Sequence, residues 1–138
     1  MVSSIDPSVV NLLDATPFIP VIAPIGIGED FKTYNINADI VAGKIAKILQ
    51  AGKYLVLTNT TGIFDDNGNL IKSMNAEQVR QLVNKGIISS GMLPKVESAL
   101  EAVSAGVQNV QIIDGTIDHA ILLELFTDEG VGTMIRRT

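Results

Sequence analysis

The chain has 138 residues, a length that fits one ordinary domain with a single core. Ten basic and fifteen acidic residues give a net charge of -5, which argues against a nucleic-acid backbone or an anionic membrane as the partner. There is no cysteine for disulfides or thiolate metal sites, which leaves the redox compartment open. No apolar stretch approaches the roughly 18 residues of a membrane span, so we expect a cytoplasmic or plastid-stroma protein.

The first third of the chain is predicted to form a helix, a strand and a second helix. Asp6-Pro7 marks a helix start, because the carboxylate can accept from free amides and proline at the first position loses no hydrogen bond. Residues 18–23 are apolar, mostly β-branched or aromatic and bounded by prolines, which predicts an edge strand, and residues 24–30 are predicted as a loop. From Asn37, apolar residues three or four apart predict an amphipathic helix that stops at Gly52.

The middle of the chain is predicted to contain a buried strand, a β-ribbon and a helix. Residues 54–58 form a nearly continuous apolar run, as in a parallel strand covered on both faces. The pair Asn67-Gly68 between two short apolar segments predicts a hairpin turn. Asn75 and Gln78 resemble a capping box, which predicts a helix start there and an end at Gly86.

The last third of the chain continues the alternation of helices and strands. Pro94 begins a predicted helix that ends at Gly106, and residues 107–113 form the next strand. Asp118 is predicted to cap another helix, and residues 131–135 to form the last strand. Alternating strands and helices predict an α/β protein, with helices on both faces of a mainly parallel sheet. Ligands of such sheets bind beyond the carboxyl ends of the strands.

Common nucleotide and metal motifs are weak or missing in the sequence. Gly26-Ile27-Gly28 follows a predicted strand, but Phe31 occupies the third glycine position of a dinucleotide fingerprint and no helix opens there. The chain has no Gly-Lys-Ser/Thr phosphate loop. His119 is the only histidine, and we expect it to be a packing or surface residue.

Residues 33–39 are more informative. Two amides and a carboxylate lie at a predicted strand-to-helix loop, where free N–H groups and the helix dipole favour an anionic ligand. An elaborate helix cap explains the same residues, and the segment alone leaves both interpretations open.

Five segments occur here in the order found in N-acetylglutamate kinases, which are members of the amino-acid kinase family: YNINAD, LTNTTGIFDD, GIISSGMLPKVESALEA, IIDG and HAILLELFTDEGVGTMI. The chain resembles this family from Phe18 to Ile135. The ending ELFTDEGVGTMI is particular to acetylglutamate kinases, whereas the first and third segments are shared loosely across the wider family. The resemblance implies an αβα sandwich of the carbamate kinase-like fold, of which residues 1–138 match the C-terminal, ATP-binding half as one domain.

The resemblance also implies a reaction and a set of site residues. The reaction is phosphoryl transfer from ATP to N-acetyl-L-glutamate, which gives ADP and N-acetylglutamyl 5-phosphate in arginine biosynthesis. Asn35 would bind acetylglutamate, Asp39 would orient catalytic lysines by ion pairing, and Lys95 would offset charge on the transferring phosphate, although a solvated lysine is the alternative. Mg²⁺ would be held mainly by phosphates and water. The nucleotide would contact two loops, made of Thr58, Asn59, Thr60, Thr61, Gly62, Ser89, Ser90, Gly91 and Met92.

The family pattern has parts that this sequence does not show: two glycine-rich phosphate loops, a further catalytic lysine and a substrate-binding arginine. We therefore expect the chain to be inactive alone and to need an N-terminal half or a homo-oligomer. Within the matched part, Asn59 stands where an aspartate is usual, which removes a negative charge. Ser90 stands where a glycine is usual, which stiffens the loop.

The ending also resembles the part of arginine-inhibited relatives that binds L-arginine, which would place Glu124 and Gly130 near the charged ends of that ligand. A helix, turn and strand without a ligand explain the same residues equally well. A non-catalytic nucleotide- or arginine-binding regulatory module is therefore the alternative function. Glutamate 5-kinase and UMP kinase activities are disfavoured by the ELFTDEGVGTMI ending.

Overall fold

Helices and strands alternate along the computed structural model, which describes residues 2–88, 90–128 and 130–137. The helices are α1 (Ser8–Asp14), α2 (Ala38–Ile48), α3 (Ala76–Asn84), α4 (Leu93–Ser104) and α5 (Ala120–Phe126). The strands are β1 (Ile25–Ile27), β2 (Thr33–Asn35), β3 (Lys53–Thr58), β4 (Ser73–Asn75), β5 (Asn109–Asp114) and β6 (Gly132–Arg136). Within these ranges, no helix combines the length and the apolar character needed to cross a membrane.

Four strands form the main sheet, in the order β3-β5-β6-β4. β3 pairs with β5 in parallel and β4 pairs with β6 in parallel, whereas β5 and β6 are antiparallel. The predicted mixed α/β fold with a mainly parallel sheet is therefore confirmed. In the β3–β5 register Thr58 lies opposite Asp114, so both strands finish at the same edge of the sheet.

Helices α2, α3 and α4 pack on one face of this sheet. Alternate strand residues point toward them, because successive side chains of a strand face opposite sides. Helix α5 lies toward the opposite face, where its residue Glu124 shares a cleft with Gln111 and Met134. The apolar core consists mainly of buried side chains between the sheet and the first three of these helices: Ala46, Tyr54, Val56, Met74, Val79, Val96, Ala99, Ala102, Val103, Val110, Ile112 and Ile135.

Helices α2 and α4 lie side by side and run in the same direction. Near the amino ends, Lys95 bonds to Asp39. Near the carboxyl ends, the side-chain amide of Gln50 donates to the Ala105 carbonyl, so the two helices stay aligned along their length. Between these points, a Cβ on Gly43 would collide with Ser98 Oγ and would lie 3.2 Å from the Ser98 carbonyl oxygen. A side chain at position 43 would therefore force the two helices apart.

Several predicted element boundaries are confirmed. Asn75 and Gln78 form both bonds of the capping box at the start of α3, each at 2.9 Å. Asn37 caps α2, because its side-chain oxygen accepts from the next amides of the helix. The turn at Asn67-Gly68 carries only one bridge pair, Phe64 with Leu70, so the predicted β-ribbon is short.

The strand predicted at residues 18–23 is wrong, and so is the loop predicted at residues 24–30. Residues 18–23 have no strand partner among the described residues, and Val21 is 94% exposed. Prolines at both boundaries and inside this segment remove amide donors, which weakens any strand pairing. Ile25–Ile27 instead pairs with Thr33–Asn35 as an antiparallel hairpin, in a stretch where the glycines conceal the alternation of apolar residues.

The predicted cap at Asp118 is also wrong. Helix α5 begins two residues later, after His119, which has a left-handed φ of 59° and makes no side-chain cap bond. The preceding turn is organised by Asp114, whose carboxylate accepts from the amide and hydroxyl of Thr116 at 2.9 and 2.7 Å. Strand β4, which pairs with β6, is an element that the sequence pattern did not predict.

Candidate functional site

The amino ends of α2 and α4 point toward the edge of the sheet at which β3 and β5 finish. Only residues 49–52 separate α2 from the start of β3, and only residues 105–108 separate α4 from the start of β5. Each helix therefore runs back antiparallel to the strand that follows it. The positive dipole ends of both helices gather at one place, which favours an anion.

An ion pair joins the first turns of these two helices. Lys95 Nζ lies 2.9 Å from Asp39 Oδ2, and the two side chains are only 21% and 22% exposed. Asn37 already caps the first amides of α2, so the Asp39 carboxylate is free to face Lys95. The structure thus brings together the two residues predicted to be catalytic, which are 56 positions apart in the sequence.

A buried hydroxyl pair supports the same helix turn, and the sequence analysis missed it. Ser98 Oγ donates to the Asp39 carbonyl oxygen at 2.7 Å, and Tyr54 Oη lies 3.0 Å from Ser98 Oγ. Burial raises the pKa of the Tyr54 phenol; the Ser98 hydrogen bond opposes this rise, and the negative charge of Asp39 adds to it. A serine on the apolar face of a helix, one turn after Lys95, is the signal that could have revealed this pair.

The first predicted nucleotide loop begins where β3 ends. The Thr58 carbonyl accepts from the Gly115 amide at 2.8 Å, and the side chains of Asn59, Thr60 and Thr61 are exposed. Gly62 differs from them because it is buried, and a Cβ there would lie 3.1 Å from the Thr133 amide nitrogen. This glycine therefore has a packing reason to be small, while its exposed neighbours remain accessible to a ligand.

The second predicted nucleotide loop leads into α4. Ser90 and Gly91 are exposed, and no atom lies within 4 Å of a Cβ built on Gly91. Met92 is half-buried against the core, which anchors the end of the loop. Ser89, also predicted to contact the nucleotide, lies outside the described residues.

Asn35, the predicted substrate ligand, ends β2 and borders a cleft of about 1050 Å³. Asn37 also borders this cleft, so the cleft reaches the cap of α2 next to Asp39. Gly26 and Gly28 border it from the hairpin rather than from a strand-to-helix turn. The dinucleotide fingerprint is therefore excluded by geometry, as the sequence spacing already indicated.

A second cleft, of about 310 Å³, lies on the other face of the sheet. Glu124 is only 6% exposed, and its Oε2 accepts from the Val131 amide at 2.9 Å. Gly130 has a left-handed φ of 61°, and a Cβ there would lie 2.9 Å from the same carboxylate oxygen. The structure therefore brings together the two residues predicted to bind arginine.

Gln111 completes this second cleft and was not predicted from the sequence. It is 7% exposed, and its Oε1 has no hydrogen-bond partner within residues 2–88, 90–128 and 130–137. A buried acceptor without a partner costs about 1–3 kcal/mol, so a ligand that donates a hydrogen bond there would be favoured. A glutamine inside the apolar strand Val110-Gln111-Ile112 is the sequence signal that could have found it.

Metal ligation by side chains has little support in the described part of the chain. It contains no group of three or more histidine, cysteine, aspartate or glutamate side chains arranged to hold a metal ion. His119 is exposed at the start of α5, so of the two predicted alternatives, packing or surface, the surface position is confirmed. A divalent cation at the Asp39–Lys95 end would need most of its ligands from a phosphate or from water.

The chain matches a known protein family over most of its length. The profile of the amino acid kinase family matches residues 2–114. The chain is 58% identical over 132 residues to the acetylglutamate kinase of Nitrosomonas eutropha, covering 96% of this chain and 45% of that protein. It is 57% identical over 136 residues to the acetylglutamate kinase of Halorhodospira halophila, covering 99% and 45%. The chain thus spans about 45% of the length of these curated relatives.

Solved structures share the same architecture. N-acetylglutamate synthase from Neisseria gonorrhoeae, complexed with coenzyme A and L-arginine, superposes with a TM-score of 0.89 at 31% identity, over 96% of this chain and 31% of that chain. Carbamate kinase from Giardia lamblia bound to AMP-PNP superposes with a TM-score of 0.63 at 19% identity, over 80% and 36%. The second likeness concerns the fold alone, and it agrees with the predicted carbamate kinase-like architecture.

Proposed function

Because the chain belongs to the amino acid kinase family, we propose that it is the nucleotide-binding part of an acetylglutamate kinase. The reaction is transfer of the γ-phosphoryl group of ATP to the side-chain carboxylate of N-acetyl-L-glutamate. The observation that carries the proposal is the 2.9 Å ion pair between Asp39 and Lys95, where two helix amino ends meet the carboxyl ends of the strands. Phosphoryl transfer depends chiefly on such fixed positive groups beside the transferring phosphate.

The proposed roles follow from the positions of the side chains. Lys95 stabilises the charge that develops on the phosphate, and Asp39 holds the lysine in place rather than accepting a proton. Asn35, at the edge of the larger cleft, binds acetylglutamate. The exposed residues of 58–62 and 90–92 contact the nucleotide, whose phosphates and water carry Mg²⁺.

The chain accounts for less than half of its relatives, so the proposed activity belongs to a longer assembly. The remaining groups are supplied by an N-terminal half or by another copy in a homo-oligomer. We propose a cytoplasmic or stromal location for this assembly. The chain by itself binds ATP or ADP weakly and turns over no acetylglutamate, since positioned charges on both sides of the phosphate are needed for the reaction.

Two measurements test this function. Calorimetry with ADP and Mg²⁺ measures binding to the chain alone, and a coupled assay measures ADP release with acetylglutamate. A chimera that joins this chain to the preceding part of the Nitrosomonas eutropha enzyme should restore acetylglutamate-dependent turnover, because the two are 58% identical in the shared region. A folded chimera that binds ADP but never phosphorylates acetylglutamate would contradict the proposed reaction.

An arginine-binding regulatory role is the second candidate, and the smaller cleft favours it. Glu124 is a buried carboxylate with one hydrogen bond from the chain among the described residues, which suits a cationic guanidinium. Lys53 and Lys72 border the same cleft and can face the ligand's carboxylate, while Gln111 offers a free acceptor. These groups match an amino acid with a positively charged side chain.

The control ligand for this second role is L-citrulline, which has the shape of arginine without its charge. L-arginine should raise the melting temperature of the chain, and citrulline should not. Glu124→Gln should abolish the arginine effect, whereas Glu97→Gln, at an exposed position on α4, should preserve it. Equal stabilisation by arginine and citrulline would contradict recognition of the charge by Glu124.

A further inference from the structure

The backbone of Asp39 is held by a chain of hydroxyl groups that crosses three elements. The phenol of Tyr54, on β3, lies 3.0 Å from the Ser98 hydroxyl on α4, and that hydroxyl donates to the Asp39 carbonyl on α2 at 2.7 Å. Tyr54 Oη also lies 3.3 Å from the same carbonyl oxygen. The Asp39 carbonyl therefore accepts from Ser98, and the single phenol proton of Tyr54 is directed to the Ser98 hydroxyl, the shorter of its two contacts.

Burial makes this arrangement specific. Tyr54 is 7% exposed and Ser98 is 6% exposed, so neither hydroxyl can exchange its partner for bulk water. When Ser98 donates to the carbonyl, its oxygen is free to accept from Tyr54, and both hydroxyls are satisfied. A displaced hydroxyl would remain buried without a partner, which is unfavourable.

The position of Ser98 connects this network to the ion pair. Ser98 lies three residues after Lys95, so both side chains project from the same face of α4 toward α2. Asp39 is thus bound to α4 twice, through its carbonyl by Ser98 and through its carboxylate by Lys95. A partly exposed ion pair is too weak to fix two helices on its own, so the carbonyl bond supplies the alignment.

We propose that Tyr54 and Ser98 are positioning residues that set the geometry of the Asp39–Lys95 pair. They contact neither phosphate nor substrate, and they act by fixing the first turn of α2 against α4. The absence of a side chain at Gly43 lets Ser98 approach closely enough to do this. The catalytic consequence rests on the proposed kinase function, whereas the geometric role does not.

The geometric role can be measured on the 138-residue chain without any substrate. Asp39→Asn, Lys95→Met and the double variant define the coupling between the two side chains, measured by urea unfolding. The same cycle is then repeated in the Ser98→Ala and Tyr54→Phe backgrounds, each of which removes one oxygen and keeps the packing. Ser104→Ala, at an exposed serine in the last turn of α4, is the matched control.

We expect the coupling to fall by about half or more in the Ser98→Ala and Tyr54→Phe backgrounds and to persist in the control. A role in stability alone would lower the unfolding midpoint of every cycle member and leave the coupling unchanged, which would overturn the proposal for the residue concerned. Should one background fail to fold, the other still decides the question for its own residue.

A second readout separates this proposal from the proposed function. In the chimera, Ser98→Ala should lower kcat by about tenfold and change ADP affinity little, as misplaced catalytic groups do. Suppose that Ser98→Ala and Tyr54→Phe lower the Asp39–Lys95 coupling but Lys95→Ala leaves kcat unchanged. The catalytic role of Lys95 is then wrong, and the positioning role of Tyr54 and Ser98 stands. If Lys95→Ala removes activity but the coupling is unaffected, positioning by Tyr54 and Ser98 is wrong and the kinase assignment stands.

Discussion

The close approach of α2 and α4 predicts that Gly43→Ala destabilises the chain, although alanine normally favours a helix. The new methyl group would collide with the Ser98 hydroxyl oxygen. Rotation of that hydroxyl would not remove the conflict, because the Ser98 carbonyl oxygen and Cβ would still lie 3.2 and 3.3 Å away. The helices must therefore separate, and the bond to the Asp39 carbonyl must lengthen or break.

Three contributions determine the size of this effect. Overpacking typically costs about 1–3 kcal/mol. A buried hydroxyl that loses its partner costs about 1–3 kcal/mol more. The better helix propensity of alanine returns about 1 kcal/mol. We expect a net loss of about 1–5 kcal/mol in the free energy of unfolding, which lowers the urea midpoint by about 0.5–2.5 M at a slope near 2 kcal/mol/M.

Urea unfolding followed by circular dichroism measures this loss, and Gly52→Ala is the matched control. No atom lies within 4 Å of a Cβ built on Gly52. The free energy of unfolding of Gly52→Ala should therefore differ from that of the parent chain by less than about 0.5 kcal/mol. A Gly43→Ala variant as stable as the parent chain would refute the helix contact, and with it the geometry that places Ser98 against Asp39.

Three further predictions concern the site. In the chimera, Lys95→Ala should lower kcat about a hundredfold or more and change ADP affinity much less, because the contact of Lys95 with the transferring phosphate is strongest in the transition state. A normal kcat would mean that Lys95 is a solvated surface residue. Asp39→Asn should keep the fold, since Asn37 provides the helix cap, and should lower the melting temperature only by the small amount expected for a partly exposed ion pair. It should lower kcat without weakening ADP binding, and a normal rate would remove Asp39 from catalysis. The raised pKa of buried Tyr54 means that its contribution to stability is complete below its unfolded pKa of about 10 and is lost as pH rises through the folded pKa. Tyr54→Phe should therefore lose less stability than the parent chain in alkaline solution. Identical alkaline curves for Tyr54→Phe and the parent would contradict the burial of the phenol.

Local signals predicted much of the fold. Capping at Asn37 and Asn75 depends on side chains within three residues, so the sequence contains the whole interaction. Strand β3 was predicted from its continuous apolar run, but the predicted cover on both faces is wrong. β3 lies at an edge of the main sheet, where Tyr54 and Val56 are buried on one face and Leu57 is 45% exposed on the other. The failures at residues 18–23 and 25–27 have a different origin, because strand formation depends on a partner strand. A pattern of β-branched residues gives no information on whether that partner lies alongside.

The sequence predicted only those site residues that lie in recognisable family motifs. Asp39 and Lys95 were both identified through resemblance, but their contact joins residues 56 positions apart and depends on the register of α2 with α4. Tyr54 and Ser98 were missed for the same reason, since each alone is an ordinary strand or helix residue. Gln111 differs, because a polar residue within an apolar strand is visible in the sequence and was not interpreted.

The Asp39–Lys95 ion pair carries no net charge, which limits the groups at this edge of the sheet that can bind a phosphate. A lysine in the first turn of a helix is unfavourable unless an anion lies close. Asp39 already satisfies this requirement within the chain. Among the described residues no side chain caps the start of α4, and the backbone donors of its first turn are the amides of Leu93 and Lys95, since Pro94 has no N–H. We therefore expect these backbone amides to donate to the oxygens of a bound phosphate. For the same reason, neutralising Asp39 exposes the Lys95 charge to the nucleotide, so it should preserve binding while removing the alignment that catalysis needs.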